Sequence, residues 1–202
     1  MTEEQLRASV VGELRPLAGP IVIADYDPEW PLRFRREEEK IRAALGDAAV
    51  QIEHAGSTSV PGLAAKPIID IVLVVADSTD EDAYVPALEA AGYALRIREP
   101  EWFEHRMFRE RNTNVNLHVF SHGCEEIDRM LVFRDWLRAN QSDRELYEQT
   151  KRELALKKWK YGQNYADAKT AVVAEIMARA GSPPAEQGAR RGRARSEPPL
   201  MR

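Results

Sequence analysis

The run PIIDIVLVV, Pro67 to Val75, constrains this chain more than any other stretch. It is apolar throughout except for Asp70. It is short, rich in β-branched residues and has no alternation, so it predicts a central strand covered on both faces. A carboxylate inside such a strand is costly unless it is paired, hydrogen-bonded or holding a metal. Ionisable groups in apolar settings tend to mark sites, so Asp70 is the first candidate functional residue.

The residues just before it extend the constellation. IEHAGSTSVPGLAAK, Ile52 to Lys66, ends an apolar run in a Gly-Ser pair and leads through a loop to a lysine. Gly56, Ser57 and Thr58 are expected to form an anion-binding loop, because glycine lets backbone approach a phosphate closely. Lys66 can neutralise a phosphate as a point charge. His54, two residues before Gly56, lies near the loop and can orient a ligand or pack in a polar niche. A P-loop is excluded. That motif needs G-x-x-x-x-G-K-[ST], whereas here Leu63 follows Gly62 and Lys66 stands before a proline.

The rest of the chain supplies the frame. Residues 1–20 read as a short helix or loose arm closed by Pro20. IVIADY reads as a strand. A helix is expected from Asp27 as N-cap, with Pro28 in its first turn, to Gly46. AVQIEHAGS is a strand, and STDEDAYVPALEAAGY a helix interrupted by Pro86. ALRIR, HRMFRER and NVNLHVFS follow as three strands, with an Asn-Thr-Asn turn between the last two. Three amphipathic helices are expected after Glu125, the second starting at Ser142 and Asp143 and the third covering residues 165–181. The fold class is thus α+β: a mixed sheet flanked by helices, with a helical C-terminal part from about residue 125. One domain over 21–181 is expected.

Composition sets the outer limits. At 202 residues, 44% hydrophobic and 31% charged, the chain suits a soluble globular protein. A net charge of −4 makes nucleic acid an unlikely partner for the body. The 182–202 segment carries five arginines against two glutamates and has little to bury, so it is expected to be a disordered basic tail. One cysteine, Cys124, excludes an internal disulfide and suits a reducing compartment. No apolar run reaches the roughly 20 residues of a membrane span, and the start lacks a signal-peptide core. The expected location is the cytoplasm.

Alternation places Asn116 and His118 on one face of NVNLHVF. His118 is the histidine expected to meet Asp70 if the two strands are neighbours. In HRMFRER, alternation sets Arg106 with Phe108 and Arg109 with Arg111, and Arg106 is expected to face the ligand cleft. A zinc site from His105, His118, His122 and Cys124 fits no established spacing. The aromatic residues Trp136, Tyr147, Trp159 and Tyr161 read as core, and Arg134 with Asp135 as a helix-surface pair.

DYDPEWPLRF, IEHAGSTSVPGLAAKPIIDI, NLHVF, FRDWLR and the later Tyr-to-Lys helices together resemble the GrpB family, nucleotidyltransferase-like proteins of the polymerase-β-like superfamily. The resemblance covers about residues 21 to 178. It implies a nucleotidyltransferase-like fold with Gly-Ser at the end of one strand and an acidic pair, Asp-x-Asp, on the next. Those carboxylates would hold Mg²⁺ bridging nucleotide phosphates. It implies transfer of a nucleotidyl group from an NTP to a small acceptor, with Asp70 and His118 catalytic and Asp70 the metal ligand. Gly56, Ser57, Thr58, Lys66, His54, Arg106 and Asn116 would bind nucleotide or phosphate. This chain departs at the second acid, which is Val72, and reads Asn-Leu-His where relatives often read His-Leu-His. The alternative is therefore a degenerate protein that binds a nucleotide or phosphorylated metabolite without turnover, perhaps beside a protein partner. A GrpB-type domain also occurs fused to dephospho-CoA kinase in some bacteria, which points to a CoA context.

Overall fold

The computed structural model describes residues 1–110 and 114–181. Arg111, most of the expected Asn-Thr-Asn turn and the 182–202 tail lie outside them. Five strands form one sheet: β1 (Gln51–Ala55), β2 (Ile69–Val75), β3 (Tyr93–Glu99), β4 (His105–Glu110) and β5 (Val115–Ser121). Their spatial order is β1-β2-β5-β4-β3. Only the β2–β5 pair is parallel; the other three pairs are antiparallel. The sheet is mixed, and β2 runs inside it, as its unbroken apolar character requires.

Each face has its own cover. On one side α2 (Trp30–Leu45) and α3 (Val85–Ala90) pack Trp30, Ile41, Tyr84 and Leu88 onto Ile71, Leu73, Leu117 and Phe108. On the other, α4 (Glu125–Ala139) sets Ile127, Met130 and Leu131 over Val72, Val74 and Phe120. Three further helices complete the C-terminal part: α5 (Gln141–Ala155), α6 (Gly162–Ala168) and α7 (Thr170–Arg179). A third apolar cluster joins them to the loop after β1, with Val60 and Leu63 packed against Leu137, Tyr147 and Ile176.

Several elements differ from the sequence expectation. IVIADY makes only one bridge, Ala24 to Ala65. Its apolar side chains go elsewhere, Ile21 packing with Leu154 and Tyr165 rather than joining the sheet. Helix α2 begins at Trp30, with Pro31 rather than Pro28 in its first turn. Asp27 instead accepts the Glu29 N–H at 2.9 Å in a local turn. The helix expected over residues 78–93 shrinks to a 3₁₀ turn and the short α3, which starts one residue before Pro86. The last expected helix is two, α6 and α7, separated at Lys169. Residues 1–20 begin with α1 (Glu3–Ser9), capped reciprocally by Thr2 and Gln5, and Val10 bridges to Ile97 of β3.

Two histidines in this frame carry a pH dependence. Burial pushes His54 down to about 4, assisted by the Arg138 and Arg134 charges against the pull of Asp70. Burial likewise pushes His105 down to about 4, outweighing its Glu99 hydrogen bond. Between the ordinary value of 6.5 and 4, the unfolded chain binds protons that the folded chain refuses. Stability must therefore fall as pH drops through that window. Urea unfolding at pH 7 and pH 4.5 should show a lower midpoint in acid. His54→Gln and His105→Gln should each flatten the profile.

Candidate functional site

The site begins where β1 ends. Gly56 turns the chain at φ 65°, ψ −172°, and Ser57–Ser59 form one 3₁₀ turn. A Cβ on Gly56 would stand 2.4 Å from Asp70 Oδ2, so only glycine lets the backbone ride over that carboxylate. The β1–β2 register sets Ala55 opposite Asp70. The sequence constellation Gly-Ser followed by an aspartate fourteen positions on is thus one physical contact.

Thr58 and His54 turn inward. The Thr58 hydroxyl donates to Ile68 O at 3.2 Å and so must accept from His54 Nε2 at 3.1 Å. The His54 ring stacks on Phe34 at 4.7 Å. Thr58 is 1% exposed. Both polar atoms are spent on shaping the turn, so these two expected ligand contacts give way to structural ones. The Ser59 hydroxyl closes the turn onto Gly56 O at 2.6 Å. The half-buried Ser57 hydroxyl has no hydrogen-bond partner among the described residues.

Asp70 is paired in its neighbourhood but not neutralised. Asn116, its register partner on β5, donates Nδ2–H to Oδ1 at 2.8 Å. His118 Nε2 lies 3.7 Å from the same oxygen. The side chain keeps 29% exposure, and no lysine or arginine reaches it within ion-pair distance. Burial alone would raise this carboxyl. His118, the Asn116 hydrogen bond and the Lys169 charge outweigh it and hold it below the usual range. Asp70 is an anion near neutrality. The expectation that His118 and Asn116 meet Asp70 is met in the geometry.

Cations gather around this anion without closing on it. Lys66 and Lys169 both place Nζ over the Tyr165 ring, at 5.6 and 5.0 Å. Burial and the nearby Lys169 and Arg109 charges lower Lys66, with Asp70 opposing. Arg109 is exposed on the Asp70 face, because the register runs Asp70 to Asn116 to Arg109. Arg106 is a correction. It registers with Val119, so its side chain lies on the opposite face, where it pairs with Glu81 at 2.7 Å and Glu104 at 3.2 Å. Alternation separated Arg106 from Arg109 correctly, but only the β4–β5 register decides which of them shares a face with Asp70. Lys169 escaped sequence reasoning too, although Tyr165 and Lys169 sit four residues apart, the spacing of one helix face.

The C-terminal helices fasten the loop. Arg134 donates to Glu53 at 2.8 Å and to His54 O at 3.1 Å, and it also pairs with Asp135. Arg138 holds Ser59 O through Nε at 3.1 Å and Nη2 at 2.9 Å. Glu148 accepts the Ala64 N–H at 3.0 Å, and Lys151 Nζ donates to Ala64 O. The FRDWLR segment is therefore a clamp on the site and not merely a helix surface.

Among the described residues, no group of three or more His, Cys, Asp or Glu side chains gathers to hold a metal. Position 72, where a second acid was expected, is a fully buried valine packed with Ala55, Val74 and Phe120. No helix among them is long and apolar enough to cross a membrane.

Comparison with known proteins agrees with this architecture. A "UPF0157 protein" of Halalkalibacterium halodurans is 61% identical over 179 residues, covering 89% of this chain and 92% of that protein. The crystal structure of the conserved protein GrpB from Enterococcus faecalis aligns with a TM-score of 0.64 at 29% identity, over 79% of this chain and 96% of that one. A dephospho-CoA kinase of Mycolicibacterium paratuberculosis is 30% identical over 159 residues, covering 66% of this chain but only 39% of that protein. Cid1 in complex with its short product ApU aligns at a TM-score of 0.46 and 14% identity, over 64% of this chain, which is too distant to say anything of the chemistry here. The model of the GrpB protein family matches residues 20–179. With a Gly56–Asp70 site on a mixed five-stranded sheet and a match over nearly all the described residues, this chain belongs to the GrpB protein family.

Proposed function

We propose that the Gly56–Asp70 pocket binds the phosphates of a nucleotide and that the chain transfers the nucleotidyl group to a small acceptor. One observation carries the reading. Lys66, Lys169 and Arg109 converge on one face beside a single carboxylate, and none has an ion-pair partner among the described residues. Unpaired cations in a chain of net negative charge mark a place for an anion. Ser57 offers a free hydroxyl to the same space, and Gly56 gives open approach to its backbone.

A divalent cation fits here once, not twice. Asp70 Oδ1 already accepts from Asn116, while Oδ2 carries no hydrogen bond among the described residues. Asp70 with ligand phosphates would hold one ion such as Mg²⁺, which typically takes one or two carboxylates plus substrate oxygens. When bound, that ion would neutralise phosphate charge. A second ion lacks its carboxylate because of Val72. The three cations share the task of charge neutralisation.

A second reading is supported by that same Val72: a protein that binds a phosphorylated metabolite, CoA-related ones included, without turnover. The stretch shared with a dephospho-CoA kinase favours testing such ligands. Thermal-shift profiling with NTPs and CoA-type ligands, with and without Mg²⁺, should raise the melting temperature for the true ligand. Lys66→Ala and Lys169→Ala should each weaken that ligand by about 1.5–3 kcal/mol, roughly 10- to 100-fold. Arg106→Ala should leave affinity unchanged. Pyrophosphate release on adding small hydroxyl acceptors separates transfer from binding alone. No stabilisation by any phosphorylated ligand would remove both readings.

A further inference from the structure

A chain of hydrogen bonds reaches Asp70 from behind. Glu99 Oε2 lies 2.8 Å from His105 Nδ1, and His105 Nε2 lies 3.0 Å from His118 Nδ1. Beyond it, His118 Nε2 faces Asp70 Oδ1 at 3.7 Å. The donors in this chain follow from its far end. A carboxylate at 2.8 Å can only accept, so His105 carries its proton on Nδ1. His105 is 3% exposed and stays neutral, so its Nε2 is a bare acceptor. His118 must then donate from Nδ1. Neutral His118 therefore turns an unprotonated Nε2 toward a carboxylate, two acceptors facing each other with no proton between them.

That arrangement suits a cation held by both. Ligand bonds of about 2.1 Å at a tetrahedral angle put the two donor atoms about 3.4 Å apart, close to the spacing seen. A ligating imidazole whose other N–H is fixed by a further acceptor is the usual second layer of a metal site. The donor set is one nitrogen and one oxygen, and imidazole suits zinc-like ions where Mg²⁺ demands oxygens. We propose that Asp70 and His118 form the protein half of a site for one borderline transition-metal ion of the Zn²⁺ or Co²⁺ class, in preference to Mg²⁺. Glu99 and His105 are its positioning residues. The inference deepens the reading above, resting on it only for the phosphates that complete the coordination.

The test uses the full chain without nucleotide, in a Cys124→Ser background that removes the thiol. Calorimetry with ZnCl₂, CoCl₂ and MgCl₂ should show Zn²⁺ and Co²⁺ binding at least tenfold tighter than Mg²⁺. The Co²⁺ visible spectrum should disappear in His118→Phe. His105→Phe, which touches no ligand atom, should weaken Co²⁺ by about 10- to 100-fold. Equal affinity for Mg²⁺, or an unchanged Co²⁺ spectrum in folded His118→Phe, would overturn the site. If His118→Phe does not fold, the wild-type ion ranking and His105→Phe still decide. Nucleotide thermal shifts in EDTA report on the phosphate loop separately. Their retention with failed metal binding sinks only the metal site, and their loss with Co²⁺ binding intact sinks only the nucleotide.

Discussion

Gly56→Val is expected to abolish binding of the phosphorylated ligand, with at least a 100-fold loss of affinity by calorimetry. Two independent costs converge on this residue. The backbone stands at φ 65°, a region that a β-branched residue enters only with strain. The new Cβ would also lie 2.4 Å from Asp70 Oδ2, and that oxygen belongs to a strand that cannot yield. Either the loop lifts off β2 or the carboxylate is pushed from its Asn116 contact. Both outcomes separate Ser57 from Asp70, and with them the phosphate loop from the cation face. Ser57→Ala is the milder companion, expected to cost about 0.5–1.5 kcal/mol of affinity for one lost hydrogen bond. Full affinity in a folded Gly56→Val protein would reduce the loop to an ordinary turn.

Asp70→Asn should remove metal-dependent ligand binding while leaving the fold nearly as stable as before. A neutral amide is a much poorer ligand for a divalent cation than a carboxylate. Stability is spared because no lysine or arginine lies within ion-pair distance to be stranded, and because the side chain keeps partial exposure. The change in unfolding free energy should stay within about 1 kcal/mol. A loss of 3–5 kcal/mol, the usual result of breaking a buried pair, would show instead that Asp70 serves the core. Val72→Asp is the opposite case. Val72 is fully buried against Phe120 and Ile127, so a carboxylate there should destabilise the fold rather than restore a second metal site.

Much of this site was legible in the chain because its signals are local. The apolar run with one acid fixed β2, and the Gly-Ser pair fixed the turn that meets it. Asn116 and His118 came from alternation plus the single assumption that β2 and β5 are neighbours. What escaped was set by register and by distant segments. Arg106 and Arg109 are three positions apart on one strand, and only the pairing of Arg109 with Asn116 assigns them to faces. Thr58 and His54 looked like ligand groups because polar residues beside a glycine loop often are. Their mutual hydrogen bond exists only because the chain folds back past Ile68. Lys169 reaches the pocket from a helix about a hundred residues beyond Lys66. IVIADY failed as a strand for a related reason: its apolar residues find better cover on α5 and α6 than a sheet edge would give.

The clamp on the β1–β2 loop also sets an order of events during synthesis. Gly56, Ser57 and Asp70 leave the ribosome early, and β1 and β2 can pair as soon as both are free. Nothing yet holds Ser59 or Ala64, because Arg138, Glu148 and Lys151 are still unmade. At about 5–20 residues per second, the gap between Ala64 and Lys151 corresponds to roughly 4–17 seconds. Through that interval the nascent chain carries the residues of a phosphate loop without its shape. Ligand capture is thus postponed until the chain is nearly complete, and a product broken off after β5 would hold the sheet but not the grip.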